Sequence, residues 1–389
     1  MQFSFYEFFA GGGMARAGLG SNWDCLFAND FDPMKAKTYS ANWGSEHLLC
    51  EDVAKIDASM LPGEADLVWA SFPCQDLSLA GSYRGLGTAA SQVMTRSGTF
   101  WPFWELMRSL RQNSRPPQLI VLENVVGALT SRGGQDFAAI CDALSDANYL
   151  FGAVVIDARH FVPQSRQRVF FVAVDSCLNV PFSLIEDSPA LPWHTPALCK
   201  AFEGISQAAK NKWLWWKLPE PVARKTVFAD LIDEDPEGCD WHTCEQTDHL
   251  LSLMSPLHLA KVETAKRSGR KMVGAIYKRT RLGQHGRQQR AEVRFDDLAG
   301  CLRTPGGGSS RQTILLVEGE RVRSRLLAPR EAARLMGLEE NYKMPARYND
   351  AYHVAGDGVC VPVVRHLAST ILEPLLSYNA DNRTLIAAE

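Results

Sequence analysis

Over the first 180 residues short β-prone runs alternate with helix-patterned segments, and that alternation limits the chain to an open α/β sheet with helices on its faces. Residues 3–9 form the first run, broken by Glu7, and it opens directly into Ala10-Gly11-Gly12-Gly13 before a helical pattern at 14–19. Glycines in a strand-to-helix turn let a ligand approach the backbone, as nucleotide-binding α/β folds exploit, and a tight structural turn uses the same residues. The next run, 25–29, ends in Asp30-Phe31-Asp32. An acid there suits a ribose hydroxyl pair, while Phe31 has either a purine to stack on or a place in the core. Cys50-Glu51-Asp52-Val53 sets another acid at a strand end. Because the G-x-G-x-x-G spacing of a diphosphate site is absent, these residues describe an adenosine-shaped pocket.

The stretch 66–81, DLVWASFPCQDLSLAG, carries the chemistry. An apolar run ends in Pro73, and Cys74 follows at once on a loop, which presents a thiol at the carboxyl edge of the sheet, where open α/β sheets bind ligands. Cys74 reads as a nucleophile; a buried Cys acting as a small hydrophobe is the competing reading. Residues 80–98 are rich in Gly, Ser and Thr with few apolar anchors, the composition of a mobile lid. A strand at 118–122 delivers Glu123-Asn124-Val125, so Glu123 is either a general acid or a solvated, capping residue. Strands at 154–158 and 169–174 flank RHFVPQSRQR, whose Arg166 and Arg168, two apart on an extended segment, face one side. They grip an anion or a carbonyl, or decorate a hairpin.

Length and composition bound the rest. At 389 residues two domains are expected. A net charge of −3 names no partner, so a nucleic-acid binder of this composition must concentrate its cations locally. Ten scattered cysteines, no secretory leader and no apolar stretch of membrane-spanning length predict a reduced, cytoplasmic protein with no membrane partner.

Taken together, the motifs resemble those of the cytosine-C5 DNA methyltransferases of the bacterial and phage type. Glu7-Phe8-Phe9-Ala10-Gly11-Gly12-Gly13 is similar to the family's D-L-F-x-G-x-G, Pro73-Cys74-Gln75 matches P-C-Q, and Glu123-Asn124-Val125 matches E-N-V. Gln164 to Arg168 matches Q-x-R-x-R, RLLAPREAARLMG at 325–337 is similar to the penultimate motif, and Gly356-Asp357-Gly358-Val359 to the last, G-N-x-V, with Asp in place of Asn. The resemblance implies a Rossmann-like, S-adenosylmethionine-dependent methyltransferase sheet at 1–180 and 350–389, with a smaller target-recognition domain and hinge at 181–349. It implies that the Cys74 thiolate adds to C6 of a flipped-out cytosine, that Glu123 serves the N3 edge, and that Arg168 holds O2 with Arg166 supporting the site or a backbone phosphate. Phe9, Gly11, Gly13, Asp30, Phe31, Asp52, Val53, Pro73, Asp357 and Val359 then line the cofactor pocket. Gln75 and Ser78 fall to the DNA.

The second half shows the local charge that the net value conceals. Between residues 261 and 294 lie Lys266, Arg267, Arg270, Lys271, Lys278, Arg279, Arg281, Arg287 and Arg290 against Glu263 and Glu292. Alone this is a solvated face; beside the motifs it is a phosphate-contacting surface. TPGGGSSR at 304–311 offers backbone N–H groups or a hinge, and KNKWLWWKL at 210–218 offers base stacking or the small domain's core. Cys239, His242 and Cys244 lack a second pair at zinc spacing, so no metal is expected. The partners are double-stranded DNA, met as a monomer, and a cognate restriction endonuclease where one exists. The rivals are an RNA cytosine methyltransferase and a catalytically silent DNA-binding regulator.

Overall fold

The computed structural model describes residues 1–73, 86, 97–283, 286–303 and 311–388; Cys74, Gln75, Ser78, nearly all of 80–96 and most of TPGGGSSR lie outside them. The chain divides into two compact units. Unit 1 comprises Met1–Asp157, Gln167–Pro221 and Val359–Glu389, and unit 2 comprises Ala158–Arg166 and Val222–Gly358.

In unit 1, strands β1 (Phe3–Phe8), β2 (Trp23–Asn29), β3 (Leu48–Leu49), β4 (Leu67–Ala70), β5 (Leu119–Val125), β6 (Tyr149–Asp157) and β7 (Gln167–Asp175) lie in the order β3-β2-β1-β4-β5-β7-β6. The first five are parallel, and β7 runs antiparallel to both β5 and β6. Chain progress reverses direction between β1 and β4, which makes their carboxyl ends the crevice where such sheets take ligands. Leu67, Val68, Trp69 and Ala70 are fully buried, as an apolar run covered on both faces must be. The covering helices are α1 (Met14–Leu19), α2 (Pro33–Trp43), α3 (Phe100–Gln112) and α4 (Gln135–Asp146). α2 starts where Asp32 accepts the Met34 N–H and Pro33 fills the first turn. α3 buries Phe100, Phe103, Trp104, Met107 and Leu110, one apolar stripe at helical spacing.

The domain boundary expected at residue 180 moves to Pro221. The segment carrying β8 (Ile185–Glu186), α5 (Pro196–Glu203), α6 (Gln207–Lys210) and β9 (Trp215–Trp216) covers the β6 edge of the sheet. Phe151 N–H donates to Lys212 O at 2.9 Å, Leu214 N–H to Phe151 O at 2.7 Å, and the fully buried Trp216 donates its indole N–H to Val172 O at 3.0 Å. Gly152 permits the approach: a Cβ there would lie 1.8 Å from Leu214 O. The tryptophans are therefore core of the larger unit, not of the smaller one and not a base-stacking platform.

Unit 2 packs α7 (Cys244–Ser252) and α8 (Pro256–Arg267) on an antiparallel sheet of β10 (Met272–Gly283), β11 (Gly286–Arg294), β12 (Thr313–Glu318) and β13 (Arg321–Leu326), ordered β11-β10-β12-β13. Leu250, Met254, Val262, Ile276, Val293 and Leu315 are in its core. α9 (Pro329–Leu335) and α10 (Tyr348–Asp357) complete it, so the return to unit 1 comes at Val359 and not at 350. There α11 (Val361–Leu367) lies so close to α1 that a Cβ on Gly18 would meet Val364 Cβ at 2.4 Å, and Glu373, at the start of α12 (Glu373–Ala388), accepts the Trp23 indole N–H at 2.9 Å. The helical run Tyr348–Asn382 is long and apolar enough to cross a membrane by length and composition, contrary to the sequence expectation. Of its apolar 18-residue stretch 56% is buried inside the protein, which accounts for that apolarity.

Candidate active site at the carboxyl ends of β1, β4 and β5

The glycine turn leaves β1 with Phe9, Gly11 and Gly13 at φ of 56°, 58° and 78°. It is tied to β2: Ala10 N–H donates to Asn29 O at 2.9 Å and Gly11 N–H to Asp30 Oδ2 at 2.7 Å, while Asp30 Oδ1 accepts the Asp32 N–H at 2.9 Å. Burial raises the pKa of the Asp30 carboxyl, against the pull of Lys35 and the two N–H groups. Among the described residues each carboxylate oxygen accepts one of these N–H groups, and such an oxygen can accept a second donor. α1 has no side-chain cap at Gly13. Glu7 substitutes from beneath, its carboxyl accepting the backbone N–H groups of Ala15 and Arg16. It is 1% exposed, and burial pushes its pKa up to about 8 although Arg16 opposes this.

The two outer glycines have different reasons. A Cβ on Gly13 would strike Trp43 Nε1 at 2.4 Å, whereas one on Gly11 would meet nothing within 4 Å among the described residues. Gly11 thus opens onto free space beside Asp30, and Phe31 next to it is 69% exposed; it is not a core aromatic. Asn29 Nδ2 donates to Leu49 O and Glu51 O, at 3.0 and 2.8 Å, and so holds the Asp52 loop alongside. Asp52 caps the turn 53–55 through the Ala54 N–H, and Val53 is buried.

At the neighbouring strand ends, the chain runs from β4 through the buried Phe72 to Pro73, the last described residue before Cys74. Asn124 Nδ2 donates to Phe72 O at 3.1 Å, and Asn124 Oδ1 accepts the Val125 N–H at 2.9 Å. The middle residue of the E-N-V motif therefore clamps the carbonyl two residues ahead of Cys74, a role the motif reading left blank. The signal was an amide in an apolar strand, since a buried amide needs partners. Glu123 on β5 meets Arg168 on β7, Oε1 to Nε at 3.0 Å, with both side chains nearly buried.

Arg166 departs from expectation. β7 begins at Gln167, so Arg166 precedes the strand and does not share a face with Arg168. It is buried, donating through Nη1 to Leu302 O at 3.2 Å and through Nη2 to Gly356 O and Gly358 O at 3.0 and 2.8 Å. Its guanidinium anchors the end of α10. Gln164 does likewise, with Nε2 on Leu335 O at 2.7 Å. In the last motif Asp357 is exposed and Val359 buried.

A sequence profile of the C-5 cytosine-specific DNA methylases matches residues 3–373. The chain belongs to this family. As a member it methylates cytosine in DNA at C5. Type II methyltransferase M.HhaI of Haemophilus parahaemolyticus is 24% identical over 372 residues, 94% of this chain and 93% of its own length. M.HpaII of Haemophilus parainfluenzae is 26% identical over 386 residues, 96% and 90%. In fold the methylase is similar to Entamoeba histolytica methyltransferase EhMeth, with a TM-score of 0.61 at 14% identity over 96% of this chain and 99% of that one. S. pombe Dnmt2 methyltransferase follows at 0.57 and 17%, with the same coverage.

The basic run of the methylase is not one surface. Arg270 and Lys271 precede β10, whereas Arg279, Arg281, Arg287 and Arg290 lie towards its far end, about 30 Å along the strand. Lys271 is paired with Glu234, which also holds Arg323 at 3.0 Å. In the penultimate motif Arg325 and Glu331 form a fully buried pair at 2.5 Å, and Glu331 accepts the Ala328 N–H that starts α9. Cys239 donates its thiol to Leu326 O, and His242 Nδ1 faces Ser324 Oγ; among the described residues no three His, Cys, Asp or Glu side chains gather as metal ligands.

Proposed function

We propose that the chain transfers a methyl group from S-adenosyl-L-methionine to C5 of a cytosine turned out of duplex DNA, through a transient bond between Cys74 and C6. The observation that carries the reading is the Glu123–Arg168 pair at the ends of β5 and β7, beside the Asn124 clamp on the chain entering Cys74. The cofactor suits the first crevice: the space beside Gly11 that is open among the described residues, the Asp30 carboxyl and an exposed Phe31 ring fit a ribose and a purine. Phe9, Gly13, Asp52, Val53, Pro73, Asp357 and Val359 complete the assignment. When bound, the group supplies an electrophilic methyl on a sulfonium.

The residues do the rest. Cytosine C5 is a weak nucleophile until the Cys74 thiolate forms an S–C6 bond and the C5–C6 electron pair shifts into the ring. Glu123 meets the N3 edge and Arg168 the O2 edge as charge builds there. C5 then takes the methyl; loss of its proton to a base returns the electron pair to C5–C6, and the S–C6 bond breaks to release the thiolate. Extrusion of the base costs a few kcal/mol of stacking and pairing. Cations of unit 2, Lys278, Arg281 and Arg287 with Arg270, meet phosphates, Arg279 and Arg290 meet the DNA between them, and Gln75 and Ser78 approach the DNA from the nucleophile loop. The chain acts as a monomer, and kinship with Type II enzymes extends the proposal to a cognate restriction endonuclease.

The test is transfer of labelled methyl to duplex DNA and to RNA by wild type and Cys74→Ala, with duplex carrying 5-fluorocytosine as a trap. Fluorine cannot leave as a proton does, so wild type should remain covalently attached to the DNA. Transfer surviving in Cys74→Ala, or transfer to RNA alone, would overturn the reading.

A further inference from the structure

β10 is longer than its sheet requires. It pairs with β12 from Met272 to Ile276 and with β11 from Ala275 to Gly283. Met254 still bridges Ala291, which stands opposite Lys278. Past that point the two strands pair with each other alone among the described residues, a two-stranded ribbon of a kind marginally stable in water. Arg279 stands directly opposite Arg290 on it, and both are exposed. Like charges in that position repel and destabilise the pair, so the arrangement serves something other than folding.

Neither guanidinium is loose. Arg290 Nη2 donates to Gln288 Oε1 at 2.9 Å; Arg279 Nε lies 3.4 Å from Glu292 Oε2 and its guanidinium 5.8 Å from the centre of the Tyr277 ring. The two-residue period of a strand puts Tyr277, Arg279, Gln288, Arg290 and Glu292 on one face and Lys278 on the other. A phosphate is satisfied by any nearby cation, whereas a base edge needs a planar fork held in direction, which arginine supplies and lysine does not. The major groove admits a two-stranded ribbon, and an arginine fork matches O6 and N7 of guanine.

We propose that this face reads sequence: the ribbon enters the major groove, and Arg279 and Arg290 each fork onto a guanine of the recognition site. The inference rests on duplex DNA being the substrate, as proposed above, and assigns the specificity to particular side chains. Lys278, on the opposite face, meets a phosphate.

The test is selection of bound duplexes from a randomised library by the full chain, with methyl transfer to the same duplexes measured in parallel. Wild type should select a site containing guanine, and 7-deazaguanine, which lacks N7, should weaken its binding there. Arg290→Lys keeps the charge but not the fork. It should lose preference for one guanine by about 5- to 150-fold, keep the salt dependence of binding and become indifferent to 7-deazaguanine; Arg279→Lys should do so at another position. Lys278→Ala should weaken all sequences alike and lower the salt slope by about one. The proposal is overturned by a selected site with no guanine beyond the one paired with the target cytosine, or by arginine variants that weaken every sequence by the same factor. Guanine preference without methyl transfer supports the ribbon and counts against the transferase reading; methyl transfer with preference untouched in both variants counts against the ribbon alone.

Discussion

Glu7 is a carboxyl placed where a strand needs an apolar residue, and its position makes α1 sensitive to pH. One of its oxygens, Oε2, has no hydrogen-bond partner among the described residues, so ionisation is disfavoured by burial and only partly offset by Arg16 and two amides. Its folded pKa of about 8 lies above the ordinary 4.5, so the folded state holds the proton more tightly than the unfolded one. That stabilisation is complete below pH 4.5 and is lost as pH rises through about 8. Glu7→Gln keeps the shape and an acceptor oxygen. It should flatten the fall in stability between these pH values, measured as urea midpoints at each pH for both proteins; parallel curves would show that Glu7 ionises freely. Asn124→Ala leaves Phe72 O without its donor, which should cost about 1–3 kcal/mol of stability. Methyl transfer should fall further than that loss explains, because the clamp steers the chain entering Cys74. Stability reduced with turnover per folded molecule unchanged would make Asn124 merely structural.

The strands of unit 1 were legible because a strand buried on both faces is a continuous apolar run, and Leu119-Ile120-Val121-Leu122 admits little else. β6 starts at Tyr149 and not at the expected 154, since Gly152 interrupts the pattern. That glycine has a non-local cause: the carbonyl of Leu214, sixty-two residues on, occupies the space of its side chain. The same long-range packing hid the fate of the Trp-rich segment, whose composition says core without saying whose. The Cys74 and Glu123 motifs could be found in the sequence, but Asn124's partner and the split of the basic run depend on registers that pairing decides. Gly152→Ala should therefore push the segment 212–216 off the sheet edge at a cost of about 2–4 kcal/mol, read by thermal unfolding. An unshifted Tm would mean that this edge cover yields freely.

At the scale of the molecule, the chain passes between its two units four times, and residues 158–166 belong to unit 2 although the strands on either side belong to unit 1. A nine-residue piece has no core of its own; what keeps it in unit 2 is Gln164 and Arg166, inserted among carbonyls 136 to 192 residues further on. Arg166 reaches both 301–302 and 356–358, so one planar group fixes the entry to the last motif against the region that follows β11. A guanidinium can do this because its donors diverge in a plane; an ammonium presents a point charge to the same carbonyls. Arg166→Lys should consequently fail to restore what Arg166→Ala loses, each costing about 2–4 kcal/mol in denaturant midpoints as buried carbonyls go unpaired. A catalytic role would give the opposite pattern: stability close to wild type, a turnover defect and substantial rescue by the retained charge. Measuring unfolding and methyl transfer on the same three proteins separates an anchor from a substrate contact, and the buried geometry of Arg166 favours the anchor.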